Sequence, residues 1–269
     1  GERRRALLSA VSVRPKRELG QHWLVDENIL QVIGRLGEIG PEDVVLEIGP
    51  GLGVLTVYLA GRARAVHAVE VDRSLEALLR ERLAGAENVE LVFGDALDLL
   101  GADFAPAPTK LVANLPYNVA TPIVMESLAA LPTVQLWCVM VQREVADRFL
   151  AAPGTKDYGA VSVVLQLVTE RSGFHPVART CFRPPPNVDS ALVAFRRTRD
   201  WDAAMDEVRR LAQAAFAHRR KTLANSVELA GLADRERVVA ALGELGRAPD
   251  VRAEALAPAE LLRLSELLA

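Results

Sequence analysis

Residues 44–53 read VVLEIGPGLG, and the organisation of the chain follows from them. Val44-Val45-Leu46-Glu47-Ile48 is a short, nearly continuous apolar run that stops at Gly49-Pro50-Gly51-Leu52-Gly53. An apolar run closed by glycines reads as a buried strand entering a tight loop. A helical pattern follows over residues 52–61. Working outward, further strands are expected at 65–70 (AVHAVE), 89–93 (VELVF), 109–113 (TKLVA) and 134–142 (VQLWCVMVQ), with helices at 73–83, 121–130, 143–151 and 158–168. Strands alternating with helices predict an α/β fold with a mostly parallel, doubly wound sheet covered on both faces. Residues 170–177 and 189–197 are expected to pair as a final hairpin joined by the proline-rich turn RPPPNVD. Beyond residue 198 strand-like runs stop. Residues 202–217 place Ala204, Val208, Leu211, Ala212, Ala215 and Phe216 at helical spacing. Helices are also expected at 233–244 and from Pro258 to Leu268. The pattern predicts two domains, an α/β domain over 1–198 and a small all-α domain over 199–269.

Bulk composition excludes more than it assigns. Of 269 residues half are hydrophobic and a quarter charged, and the net charge of −3 points to no nucleic-acid partner, so any such partner must be held by a local basic patch. No apolar run approaches a membrane span. The basic opening, GERRRALLSAVSVRPKR, is too interrupted for a signal peptide and reads as a mobile basic arm. Cys138 and Cys181 share no metal-ligand spacing, and His22, His67, His175 and His218 are scattered, so no metal site is expected. Two cysteines without a disulfide framework fit a reducing compartment and a cytoplasmic protein.

The glycine loop lets the backbone turn sharply and approach a ligand. Glu70 ends the second strand, where a carboxylate can accept both hydroxyl protons of a ribose. The spacing is G-x-G-x-G rather than G-x-G-x-x-G, and Pro50 removes an N–H that a pyrophosphate would use. A dinucleotide site or a purely structural turn stay open for the loop taken alone. Asp95, after the third strand, can accept from an adenine amino group or serve as a turn aspartate.

Asn114-Leu115-Pro116-Tyr117 follows the fourth strand. With strands ordered 3-2-1-4-5, the first and fourth flank the switch point, and the glycine loop and this tetrad face one crevice. The adenine N6 amine is a poor nucleophile. Two acceptors, the Asn114 side-chain oxygen and the Leu115 carbonyl, can hold its two N–H bonds and aim the nitrogen at a methyl donor. Tyr117 offers a stacking face for a flipped base. The alternative is a plain turn with a buried tyrosine.

The tetrad resembles the (N/D)PP(Y/F) motif of amino-methyltransferases in its NLPY form. Together with Gly20-Gln21-His22-Trp23-Leu24, EIGPGLGVLT at 47–56, Gly94-Asp95-Ala96, NLPYN at 114–118, FRPPPNVDS at 182–190 and HRRKTLANS at 218–226, it resembles the KsgA (RsmA) family of rRNA adenine dimethyltransferases. The resemblance implies a Rossmann-like class I methyltransferase domain using S-adenosyl-L-methionine. It implies methylation of two adjacent adenosines near the 3′ end of 16S rRNA, within a small ribosomal subunit particle; a monomer is expected. It implies cofactor contacts at His22, Leu24, Gly49, Gly51, Glu70, Asp95 and Asn114, and catalytic roles for Asn114, Leu115, Tyr117 and Phe182, with Phe182 beside the target base opposite Tyr117. Core packing is the alternative for Phe182. The family usually has Asn-Phe where this chain has His22-Trp23.

Arg219, Arg220 and Lys221 are expected to contact RNA phosphates, with Arg14, Lys16 and Arg17 as further candidates; otherwise these runs are solvated surface. The rivals are an Erm-type large-subunit rRNA methyltransferase, a nonenzymatic assembly or transcription factor on the same fold, and an NAD-dependent oxidoreductase.

Overall fold

The structure is a computed structural model that describes residues 15, 16 and 19–269. Residues 1–14 of the basic opening segment, Arg14 included, and Arg17 lie outside the described residues. The described residues divide into two compact units, one of those up to 146 with 171–196, the other of 147–170 and 197–269.

The first unit opens with the short strand β1 (Trp23–Leu24) and helix α1 (Glu27–Leu36), whose first turn is capped by the Asp26 carboxylate accepting from the Asn28 N–H. The sequence reading had not singled out α1, although Ile29, Leu30 and Ile33 make its buried stripe. The alternation then runs β2 (Val44–Ile48), α2 (Val54–Ala60), β3 (Ala65–Glu70), α3 (Glu76–Leu83), β4 (Val89–Phe93), α4 (Ala96–Leu99), β5 (Lys110–Asn114), α5 (Ala120–Ala130) and β6 (Leu136–Gln142). Strands β4-β3-β2-β5-β6 lie side by side in parallel, which is the expected 3-2-1-4-5 order. Two more strands, β7 (Thr169–Val177) and β9 (Ser190–Arg197), extend the sheet to seven in the order β6-β9-β7, with β9 antiparallel to β6. Between them the proline-rich segment forms β8 (Phe182–Arg183), which leaves the main sheet and pairs antiparallel with β1, matching Leu24 to Phe182. That pairing joins segments about 160 residues apart and is invisible to local periodicity.

All five residues of β2 are buried, as a central strand covered on both faces requires. One face packs Val45, Cys138, Met140, Leu192 and Ala194 against Ile29, Leu30 and Ile33 of α1 and Leu55 and Leu59 of α2. Trp137, alternate to Cys138 along β6, is fully buried, and its indole N–H donates to Ser127 Oγ at 2.9 Å.

The second unit is helical: α6 (Arg143–Phe149), which begins in the first unit, then α7 (Ala160–Val168), α8 (Ala203–Phe216), α9 (Leu223–Leu229), α10 (Arg235–Glu244) and α11 (Pro258–Leu268). Helix α7 packs against α8 and α11. Residues 147–170, which the sequence reading left in the first domain, group with the helical unit instead, because the apolar side of α7 (Val163, Val164, Leu165) needs a partner and α8 offers Val208, Leu211 and Ala215. Tyr158 anchors this unit: buried, it donates from its hydroxyl to the Leu256 carbonyl at 2.9 Å.

Ser127→Ala strands the Trp137 indole N–H inside the sheet face. The loss expected is about 1–3 kcal/mol of folding stability, the cost of an unsatisfied buried donor, measured by chemical denaturation. A midpoint equal to that of the unsubstituted chain would show that the hydrogen bond contributes nothing.

Candidate active site

At the C-terminal ends of β2, β3 and β5 a crevice is lined by Gly20, His22, Trp23 and Leu24, by Glu47, Gly49 and Gly51, by Glu70 and Val71, and by Asn114 to Tyr117. The glycine loop and the NLPY turn do meet there. Gly49 has φ 73°, and a Cβ on it would stand 3.5 Å from Pro116 Cδ. Gly51 has φ 55°, and a Cβ on it would press to 3.0 Å from Trp23 Cδ1. Both positions favour glycine for their left-handed conformation, and Gly51 also for the close approach of β1.

Glu70 holds the loop in place. Its buried carboxylate accepts from Gly51 N–H at 3.0 Å and from Asp72 N–H at 2.9 Å, one on each oxygen. Burial raises its pKa, and these two backbone N–H groups oppose the shift. Each oxygen keeps a lone pair for a ligand hydroxyl.

Asp72, which the sequence reading did not single out, stands two residues beyond Glu70, outside the crevice lining. It accepts from Lys16 Nζ at 2.7 Å, Gln21 Nε2 at 2.9 Å, Ser74 N–H at 3.0 Å and Ser74 Oγ at 2.6 Å. Burial alone would raise its pKa, but the Lys16, Ser74 and Gln21 hydrogen bonds outweigh burial and hold it at about 2. Lys16, expected at RNA phosphates, is therefore committed to an ion pair with Asp72. Through Gln21 the same carboxylate fastens the segment that carries His22, Trp23 and Leu24 to the end of β3.

Asn114 closes β5. Its Nδ2 donates to the His22 carbonyl at 3.0 Å, which leaves Oδ1 as the acceptor in the crevice. The Leu115 N–H is taken by the Met140 carbonyl at 3.1 Å, and among the described residues no hydrogen bond takes the Leu115 carbonyl. Tyr117 is half-buried; its hydroxyl bonds Ser190 Oγ at 2.5 Å. Burial raises its pKa and the Ser190 bond opposes this. His22 stacks on Tyr117, with centroids 5.4 Å apart, and its Nδ1 donates to the Pro184 carbonyl at 2.9 Å. The His22 ring thus fixes the tyrosine.

Two expected residues lie elsewhere. Phe182 is 1 % exposed and belongs to the core with Leu24 and Ile29, so the expectation of a ring facing the target base gives way to core packing in this structure. The physical reason is the β1–β8 pairing, which faces Phe182 with Leu24. Asp95 is exposed and outside the crevice lining; its Oδ1 accepts from the Leu97 N–H and caps α4. Leu24 lines the crevice from the buried side.

In the helical unit Arg219 donates to the Lys156 carbonyl at 2.6 Å and the Tyr158 carbonyl at 3.2 Å, so part of its hydrogen-bonding capacity is spent on the fold. Arg220 and Lys221 are exposed, and no side-chain hydrogen bond or ion pair holds either among the described residues. Among the described residues there is no cluster of three metal-ligating side chains, and no helix is long and apolar enough to cross a membrane.

The Asp72 network makes stability depend on pH. An acid whose folded pKa lies below its unfolded value stabilises above the unfolded value, and the contribution vanishes as pH falls through the folded one. Asp72→Asn is expected to cost about 1–2 kcal/mol at neutral pH, and the gap to the unsubstituted chain should close as pH drops from about 4 toward 2. Denaturation curves across that window check it; a gap independent of pH would exclude Asp72 ionisation as its source.

Comparison with known proteins shows the family. Residues 13–269 match the family model described as ribosomal RNA adenine dimethylase. Two proteins named ribosomal RNA small subunit methyltransferase A are each 44% identical: that of Rubrobacter xylanophilus, covering 96% of this chain and 96% of its own, and that of Moorella thermoacetica, covering 98% and 96%. Among solved structures, the 23S rRNA methyltransferase ErmE is 32% identical, covers 91% of this chain and 99% of its own, and superposes with a TM-score of 0.66. A dimethyladenosine transferase from Plasmodium falciparum is 26% identical over 90% of this chain and 96% of its own, with a TM-score of 0.71. The family match spans both units described above, and this chain belongs to the ribosomal RNA adenine dimethylase family.

Proposed function

We propose that this chain transfers methyl groups from S-adenosyl-L-methionine to the N6 amines of two adjacent adenosines near the 3′ end of 16S rRNA, in a small ribosomal subunit particle. The observation that carries the reading is the Asn114 Nδ2–His22 carbonyl hydrogen bond, which leaves Asn114 Oδ1 beside the Leu115 carbonyl as an acceptor pair for one amino group. The residues present fit the cofactor. Glu70 keeps acceptor capacity for ribose hydroxyls, the left-handed Gly49 and Gly51 admit a ligand against the backbone, and Glu47 Oε2 is a buried acceptor without a partner among the described residues. Bound there, the cofactor supplies a methyl group on a positively charged sulfur.

The chain's own part is orientation. Asn114 Oδ1 and the Leu115 carbonyl accept the two N–H bonds of the adenine amine and turn the nitrogen lone pair out of the ring plane. One face of Tyr117 carries His22, so the base stacks on the other. No strong base is needed, because the methylated, cationic nitrogen gives up its proton readily. Asp95 remains a candidate for the adenine amino group of the cofactor through its second oxygen.

The small-subunit assignment is favoured over a large-subunit one by relatives 44% identical along nearly their full length, against 32% for the large-subunit enzyme. A cytoplasmic monomer suits Cys138 and Cys181, neither of them in a disulfide, and the single-chain site. Methylation assays on small-subunit particles, with mass spectrometry of the rRNA nucleosides, test the assignment; dimethyladenosine formed only on large-subunit RNA would overturn it.

Within the turn, Asn114→Ala is expected to leave folding nearly intact yet lose about a hundredfold or more in turnover. Tyr117→Phe gives up only the Ser190 bond and should be mild, whereas Tyr117→Ala removes a stacking platform worth about 1–3 kcal/mol. Equal damage from both tyrosine variants in a single-turnover assay would make the hydroxyl the working group.

RNA phosphates are assigned to Arg220 and Lys221, with Arg219 a contributor through the donors its fold contacts leave free. Arg220→Ala with Lys221→Ala, leaving Arg219 in place, should flatten the salt dependence of particle binding by roughly 0.7–0.9 of a log unit per lost contact. Cofactor affinity should stay as it was. A salt slope unchanged by the double substitution would make this run solvated surface.

A further inference from the structure

A second opening lies beside the crevice, on the outer side of the β1–β8 ribbon. Pro15, Trp23, Thr180, Arg183, Pro184 and Pro185 line it, all of them in the first unit. Trp23 and Arg183 are matched across the ribbon. Residues matched in an antiparallel pair send their side chains to the same face, so the indole and the guanidinium share one side. Leu24 and Phe182, the next matched pair, turn to the other side and enter the core. No step of the methyl transfer uses this groove.

The lining says what kind of ligand fits. An indole and proline rings make flat, apolar walls, and no carboxylate is among the lining residues. Arg183 is exposed, and among the described residues no side-chain hydrogen bond or ion pair holds its guanidinium. Thr180, also exposed, adds a hydroxyl. A flat ring to stack on, next to a cation with donors to spare, suits an unpaired nucleotide, with the base on the indole and a phosphate at the guanidinium. The chain as a whole carries a net charge of −3, so a groove that holds a cation and no acid is a local exception that draws a polyanion to this place.

Continuity with the crevice says which nucleotide. Trp23 lines both openings, and its pyrrole edge lies along Gly51, where a Cβ would stand 3.0 Å from Cδ1 and 3.2 Å from Nε1. The residue before it, His22, stacks on Tyr117 and bonds the carbonyl of Pro184, itself a wall of the groove. Two consecutive residues therefore join the Tyr117 stack to the groove. We propose that the groove holds the nucleotide flanking the target adenosine, its base stacked on Trp23 and its phosphate at Arg183, while the target base lies on Tyr117. The inference rests on the function proposed above. The groove lies on the His22 side of Tyr117, so it takes only one of the two neighbours, the 5′ or the 3′ one, and the RNA strand enters with a fixed polarity. Every base has a face to stack, so this subsite sets register and direction rather than sequence.

The test is binding of three heptaribonucleotides to the full chain with S-adenosylhomocysteine present, so that no turnover occurs. One is UUUAUUU, whose single adenosine fixes the register. The others carry an abasic ribose directly 5′ or directly 3′ of that adenosine. One abasic RNA should bind about fivefold to a hundredfold more weakly than the parent, and the other about as well as the parent. Trp23→Ala should remove most of that one-sided loss; its thermal unfolding and its affinity for S-adenosylhomocysteine are measured beside it, because Trp23 also touches the crevice. Tryptophan emission of the unsubstituted chain reads the same stack without any substitution: at saturation the parent RNA should quench it more than the weaker abasic RNA does. Arg183→Ala should reduce the salt slope of parent binding by about 0.7 of a log unit and leave cofactor affinity as it was. Equal affinity for all three RNAs, or equal losses on both sides, would overturn the proposal and leave the groove to a protein partner. A one-sided loss that survives in a folded Trp23→Ala chain would overturn it too. Methylation of small-subunit particles, measured alongside, decides the function separately. Particles methylated while the heptamers show no one-sided loss, or no binding, remove only the subsite; particles left unmethylated with no RNA bound remove both.

Discussion

The crevice depends on a short seam in the sheet, the parallel pairing of β2 with β5. Its ladder matches Val45 with Lys110 and Leu46 with Leu111 and stops there, although β2 runs on to Ile48 and β5 to Asn114. The flanking pairs, β2 with β3 and β5 with β6, hold five matched positions each. At a switch point the connections leave the two central strands on opposite sides, so nothing fills the space above the seam except the loops that follow the strands. Those loops are the glycine turn and Asn114–Tyr117. They come together where Gly49, in its left-handed conformation, lies against Pro116.

Around that opening three carboxyl groups sit within a few residues of strand ends and behave differently, because their donors differ. Asp72 has four hydrogen bonds and a lysine, and stays ionised far below the ordinary range. Glu70 has two backbone N–H groups, enough to hold the loop but not to cancel burial. Glu47 has none at Oε2 and is the group most shifted toward the neutral acid.

A second support is the ribbon of β1 and β8. It brings His22 beside Tyr117 and the Pro184 carbonyl onto the His22 ring, while the His22 carbonyl orients the Asn114 amide. Asparagine is symmetric in shape but not in charge, and this one hydrogen bond decides which end faces the crevice. The departure of this chain from the usual Asn-Phe pair falls on this support: a histidine ring can stack on the tyrosine and bond a carbonyl at once.

From the sequence alone the strand order, the alternation with helices and the meeting of the glycine loop with NLPY were legible, because each rests on local periodicity and on the rules for closing parallel sheets. Glu70 was legible for the same reason, as an acid at a known distance past a glycine loop. The helical character of the last 70 or so residues was readable from spacing. What tertiary structure alone decided are contacts between residues far apart in the chain. Phe182 became core because β8 pairs with β1. Lys16 was taken by Asp72, 56 residues away, and part of Arg219 by carbonyls 61 and 63 residues away. Residues 147–170 joined the helical unit because α7 found its apolar partner in α8. A charged or aromatic side chain in a sequence shows what it can bind; which partner it takes depends on what folding brings within about 3 Å of it, and no local pattern carries that distance.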